Sequence, residues 1–139
     1  MLRYRLTSTR NLPIHKDLFI GYPDITYIVK LTKLNRPCIQ VTENDKLIGL
    51  MVLTRYNRYL KISLLLVHPS YKSKNIGNEL ISIAISTLND DFSPVDFLYT
   101  VCPHQFNTDN YQSLLLKNNF QVSTIKPNGD VVYAYAQSV

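Results

Sequence analysis

The chain has 139 residues, 45% of them hydrophobic, a length and composition that suit one globular domain and exclude a disordered chain. Its net charge of +5 permits contact with nucleic acid, but the basic residues are scattered and no helix carries a basic stripe, so charge alone argues weakly for it. The longest apolar run, residues 47–53, is too short to span a bilayer, and the first ten residues carry no apolar signal core, so a cytoplasmic protein without membrane contact is expected.

Two distant cysteines, Cys38 and Cys102, do not form a disulfide framework or a metal site, and no metal is expected. Residues 2–8, LRYRLTS, alternate as a strand does. The stretch from 11 to 36 is broken by Pro13, Gly21 and Pro23 and reads as short helical pieces, with Asp24 as a helix cap. CIQVTE, residues 38–43, is a strand, and Asn44-Asp45-Lys46 is turn chemistry. Residues 47–56 form a second strand with Gly49 marking a bulge. After a turn at Asn57-Arg58, residues 59–67 form a third strand, apolar enough at its end for burial on both faces.

Pro69 stops that strand. Ile76, Leu80, Ala84 and Leu88 then recur every four residues beside Ile81 and Ile85, which predicts an amphipathic helix. Residues 95–102 are a further strand, ended by Pro103. Asp109 and Gln112 resemble a capping box, and Tyr111, Leu114 and Leu115 form the inner stripe of a short helix. Asn118 and Asn119 can end it, because asparagine tolerates the left-handed conformation. Residues 120–125 and 131–137 are strands around the KPNGD turn. The order β-α-α-β-β-β-α-β-α-β-β predicts a single α/β (α+β) domain over residues 1–139, a mixed sheet of about seven strands flanked by helices.

The segment VHPSYKSKNIGNEL, residues 67–80, sets lysines and amides directly before a helix. The start of a helix offers converging N–H groups and a favourable dipole to a phosphate. Convergence usually takes a residue at positive φ, where glycine is best and asparagine next, so Asn75 is a workable occupant. Gly77 would allow a diphosphate close to the backbone, and Lys72 and Lys74 supply charge. The bland alternative is a polar turn with a helix cap.

This segment, together with the element order, resembles the GNAT family of acyl-CoA N-acyltransferases. The family's loop runs roughly V-x-P-x-x-[R/Q]-x-x-G-x-[G/A] before a helix. Val67, Pro69 and Gly77 match it, Lys72 stands where Arg or Gln is usual, and Asn75 replaces the first glycine. A second family signature, an Asn and then a helix ending in Leu-Tyr-x-x-x-Gly-Phe, is echoed by NTDNYQSLLLKNNF. There Leu114 and Phe120 fit, Leu115 takes the tyrosine position and Asn119 the glycine position. The resemblance covers about residues 47–120.

The resemblance implies an N-acetyltransferase that moves an acetyl group from acetyl-CoA (coenzyme A) to a primary amine by direct attack in a ternary complex. The alternative is a GNAT-fold protein with weak or no catalysis, acting as a protein-interaction module. The implied cofactor-binding residues are Leu66, Val67, Lys72, Ser73, Lys74, Asn75, Ile76, Gly77, Asn78 and Asn107. In the family two parallel strands splay apart around the pantetheine arm, here 60–67 and 95–102, with the backbone near Leu66 and Val67 bonding the arm and the thioester carbonyl.

An attacking amine must first lose a proton, yet the strand 59–67 carries no carboxylate. Glu43 and Glu79 are the nearest acids in sequence, and Glu79 falls on the polar face of its helix. Tyr111, one turn before Leu115, is the candidate to protonate the leaving thiolate, and His104 the candidate at the mouth of the acceptor site. A Cys102–His104 nucleophile pair is opposed by the stiff Pro103 between them, and a buried structural cysteine is the better reading. His68 is expected to face solvent. Tyr133 and Tyr135, on one face of the last strand, either line the acceptor pocket or pack on the sheet. The acceptor is a small-molecule or protein amine, and the chain a monomer or a homodimer through its exposed final strand.

Overall fold

The computed structural model describes residues 2–11, 33, 35–44, 46–68, 70–71, 75–90, 97–102 and 109–136. The helical pieces expected between 11 and 36 therefore fall almost wholly outside the described residues, which there are only 11, 33, 35 and 36, with Asn11 ending a 3-10 turn at Thr9–Asn11. Seven strands form one mixed sheet: β1 (Leu2–Ser8), β2 (Pro37–Glu43), β3 (Lys46–Tyr56), β4 (Tyr59–Val67), β5 (Phe97–Cys102), β6 (Gln121–Ile125) and β7 (Val131–Ala136). Their order across the sheet is β1-β2-β3-β4-β5-β7-β6. The helices are α1 (Ile76–Asp90) and α2 (Asp109–Lys117). Contacts gather the chain into two compact units, Met1–Thr54 with Ser63–Leu80, and Arg55–Ile62 with Ile81–Val139.

In the first unit β1 lies antiparallel to β2 from Leu2↔Glu43 to Ser8↔Pro37. The turn into β3 uses Asn44 at φ 52°, a conformation asparagine adopts more readily than most residues. The β2–β3 register then slips, because Val41 faces Gly49 while Thr42 faces Leu47. Ile48 is the extra residue, so the bulge anticipated at Gly49 is present and falls beside it. Every residue of β3 from Leu47 to Thr54 is buried. Cys38, Leu50 and Val52 form a core cluster on which Leu64 of β4 packs.

The strand with the long buried run is thus β3, and the apolar end of β4 differs from expectation. Leu64, Leu65 and Val67 are only half-buried, with Leu66 alone fully covered. Among the described residues the parallel β4–β5 ladder covers Tyr59↔Phe97, Leu60↔Leu98 and Lys61↔Tyr99, although β4 runs on to Val67.

In the second unit β5 pairs with β7 along its whole length, from Phe97↔Ala136 to Cys102↔Val131. β6 completes the sheet edge, with Ser123 as an extra residue between Val122↔Tyr133 and Thr124↔Val132. Its turn to β7 closes through Lys126 N–H to the Asp130 carbonyl at 2.8 Å, with Gly129 at φ 92°. α2 ends as the paired asparagines anticipate. Asn119 is left-handed at φ 68°, its N–H donates to the Leu116 carbonyl, and Phe120 N–H reaches back to Leu115. That is a Schellman closure, with its two flanking apolar residues, Leu115 and Phe120, both buried. The helix itself starts at Asp109, so the cap position falls one residue ahead of the capping box.

Candidate functional site

β4 delivers the chain to the loop of interest, and β3 fixes where it arrives. His68 N–H donates to the Ile48 carbonyl at 2.7 Å, so the bulged residue of β3 holds the first residue after β4. Gly49, next in line, keeps the floor low. A β-carbon there would stand 3.3 Å from Ile76 Cγ2 and 3.5 Å from the Leu66 carbonyl oxygen. The absent side chain lets the start of α1 and the end of β4 settle on the same spot of β3.

The loop then folds back on itself. Tyr71 N–H donates to the His68 carbonyl at 2.8 Å, and Ser70 N–H donates to His68 Nδ1 at 3.1 Å. The two rings meet edge to face, 5.9 Å apart. His68 is therefore half-buried, and its ring, although on the accessible side of the loop, accepts a loop amide. The Tyr71 hydroxyl donates to Glu43 Oε1 at 2.9 Å, across 28 positions of sequence. That bond raises the Tyr71 pKa first, followed by burial and the Glu43 charge, so the phenol stays a donor at neutral pH.

Asn75 closes the loop at φ 61°. Its carbonyl accepts the Glu79 N–H at 3.2 Å, so it stands at the cap of α1. Beyond it Ile76, Leu80, Ile81 and Ala84 are buried, while Gly77 and Asn78 are partly accessible in the first turn. Glu79 is exposed, and its charge adds to burial in raising the pKa of Tyr4 on β1. Of the anticipated cofactor residues, the structure thus brings Leu66, Val67, Asn75, Ile76, Gly77 and Asn78 into one stretch at the end of β4 and the start of α1. Lys72, Ser73, Lys74, His104 and Asn107 lie outside the described residues, as does the side chain of Tyr111, whose backbone is in α2.

Leu115, at the position where the family signature has tyrosine, is fully buried and offers no hydroxyl. Tyr133 is also buried, whereas Tyr135 is half-buried with its ring 5.9 Å from that of Phe120. Cys38 is buried, and burial pushes its thiol up to about 11, which makes it a core residue rather than a nucleophile.

Sequence reading did not anticipate an aromatic cluster in the second unit. Tyr59 stacks on Phe97 at 5.6 Å and meets Tyr99 edge-on at 6.5 Å. These rings line an open groove of about 430 Å³ together with Ser123, Val132 and Ala134. Burial, then the neighbouring Tyr56, raises the Tyr99 pKa. The signal available was the spacing of Tyr59 and of Phe97 and Tyr99 on alternating strand positions. The pairing that brings them together is not visible in either segment alone. Where that ladder ends, Thr100 Oγ1 makes a long bond of 3.5 Å to the Ile62 carbonyl.

Among the described residues no group of three or more His, Cys, Asp or Glu side chains could hold a metal ion. No helix among them is long and apolar enough to cross a membrane.

A seven-strand mixed sheet with helices after its fourth and fifth strands is an α+β architecture, and solved acetyltransferases superpose on it across nearly their whole length. An IAA acetyltransferase from Bacillus cereus superposes with a TM-score of 0.75 at 16% identity, covering 99% of this chain and 100% of that one. A Bacillus subtilis acetyltransferase in complex with CoA gives the same score, identity and coverage. The Campylobacter jejuni N-acetyltransferase PseH in complex with acetyl coenzyme A gives 0.73 at 14% identity, covering 98% and 100%. A search of curated proteins by sequence returned no match. The family model of the acetyltransferase (GNAT) domain matches residues 30–113, more than half of the chain, and the chain belongs to the GNAT acetyltransferase family.

Proposed function

We propose that the protein transfers the acetyl group of acetyl-CoA to a primary amine, with both substrates bound together and the amine attacking directly. Family membership supports acetyl transfer, and one observation carries the assignment of the site. Asn75 is left-handed at φ 61° and caps α1 at the end of a lysine-bearing loop. A left-handed residue ahead of a helix is what a backbone nest for a diphosphate requires, and the helix adds the positive end of its dipole.

In this reading Lys72 and Lys74 neutralise the diphosphate. Ser73, Asn75, Ile76, Gly77 and Asn78 offer main-chain and amide donors, with Gly77 admitting close approach. Leu66 and Val67 bond the pantetheine arm in the manner of an added strand, and Asn107 completes the cofactor side. The half-burial of Leu64, Leu65 and Val67 at the end of β4 supports this, since partly accessible apolar residues suit such an arm.

Acetyl-CoA supplies the activated thioester. In this proposal Tyr111 protonates the departing thiolate and His104 serves the acceptor side. β4 carries no carboxylate, so the amine loses its proton to water or to a group elsewhere, and holding the two reactants together is the main source of rate. The domain spans residues 1–139, works in the cytoplasm as a monomer or homodimer, and acts on a small-molecule or protein amine.

Titration calorimetry with acetyl-CoA tests the reading, and micromolar binding is expected. A panel of amines with detection of released thiol then identifies the acceptor. No heat at millimolar acetyl-CoA refutes the proposal and leaves an interaction module.

A further inference from the structure

We infer that Tyr71 and Glu43 are positioning residues of the diphosphate loop, and that their hydrogen bond locks the loop's entry to the β2–β3 hairpin before a ligand arrives. The inference rests on the function proposed above.

Glu43 is a rigid anchor. It pairs with Leu2 on β1 and with Lys46 on β3, at the last rung before the Asn44 turn. Tyr71 reaches it with a 2.9 Å bond, and Tyr71 is itself tied to His68 through main chain and ring. His68 in turn hangs from the Ile48 carbonyl. A continuous chain of contacts thus runs from the β3 bulge through His68 and Tyr71 to Glu43. At the loop's other end, Ile76 packs down against the space left by Gly49. Tyr71 and Ile76, the described residues that flank the loop's lysines in sequence, are thus each fixed to the sheet.

Holding a loop in its binding shape removes the ordering cost that a ligand would otherwise meet, and affinity rises accordingly. The charge of Glu43 works the other way, since a carboxylate near a diphosphate repels it. A residue kept for its hydrogen bond should therefore tolerate loss of its charge but not loss of its acceptor oxygen. An alternative in which Glu43 takes the amine's proton predicts the reverse pattern, with binding unaffected by its removal.

The test is calorimetric affinity for CoA in wild type, Tyr71→Phe, Glu43→Ala, Glu43→Gln and the double variant Y71F/E43A, each measured well below its melting midpoint. Wild type is expected to bind. Y71F and E43A should each weaken binding about tenfold, and the double variant should be no weaker than either. E43Q, which keeps an acceptor oxygen, should stay within about twofold of wild type. Wild-type affinity in Y71F or E43A, additive losses in the double variant, or an E43Q as weak as E43A overturns the clamp while leaving the transferase reading intact. A wild type that gives no heat with millimolar CoA removes both.

Discussion

Gly49 and Ile76 pack so closely that a β-carbon on the glycine would stand 3.3 Å from Ile76 Cγ2, with Val41 Cγ2 also at 3.3 Å. Both neighbours are buried, and each would have to shift by a few tenths of an ångström to admit it. Gly49→Ala is expected to destabilise the protein by about 1–3 kcal/mol, the usual range for overpacking a core. Urea denaturation checks this, and an unchanged midpoint would show that the start of α1 shifts freely over β3.

Asn75 makes a second, opposite prediction. Its φ of 61° costs a side-chain-bearing residue free energy that glycine does not incur. Asn75→Gly should be as stable as wild type or slightly more so, with acetyl-CoA binding retained. Asn75→Val should lose about 1–2 kcal/mol, because a β-branched residue fits this region worst. Thermal melts of the pair decide it; a valine variant as stable as wild type would mean that the loop has relaxed out of the left-handed turn.

Leu115 sits fully buried at the base of the Schellman closure of α2, beside buried Phe120. Leu115→Ala is expected to cost about 3 kcal/mol from lost transfer energy and the cavity left behind. A loss under about 1 kcal/mol by chemical denaturation would show that α2 closes over the gap.

Cys38 supplies a pH prediction. Burial holds its thiol at about 11, above the ordinary 9.0 of the unfolded chain. The unfolded state therefore gives up this proton first as pH rises. The resulting stability is fully present below pH 9.0 and is lost as pH climbs through about 11. In Cys38→Ala that part of the alkaline loss should disappear. At pH 8, with Cys102→Ser as background, a thiol reagent should label Cys38 slowly in the native protein and rapidly in denaturant. Fast native labelling would contradict burial of the sulfur.

Much of the fold was legible because its signals are local. The alternation of LRYRLTS predicts β1 at the limits it has, Leu2–Ser8. The four-residue recurrence from Ile76 predicts α1, and Ile76, Leu80 and Ala84 are buried as that stripe requires. Asparagines at 75 and 119 were legible as left-handed positions, since few other side chains tolerate them. The burial of β4 was misjudged because hydrophobicity reports what a strand could bury. What it does bury depends on which neighbours run alongside, and Leu64, Leu65 and Val67 stay half-buried.

The site divides in the same way. The position of Asn75 before a helix, and the glycine two residues on, were visible as a motif. The role of His68 as an acceptor for Ser70 was not, because a histidine after a strand carries no mark of which way its ring turns. The Tyr71–Glu43 bond was out of reach for the same reason, as neither residue belongs to a local pattern.

By itself, then, the chain's sequence determines where strands and helices start and stop, and where the backbone must turn left-handed. Those choices depend on side-chain sterics and periodicity within a few residues. Tertiary structure alone decides the slip at Ile48, the pairing of Tyr59 with Phe97 and the meeting of Tyr71 with Glu43. Each of these joins segments far apart along the chain. Their energies arise only when packing brings the partners within contact distance, so no local stretch of residues records them.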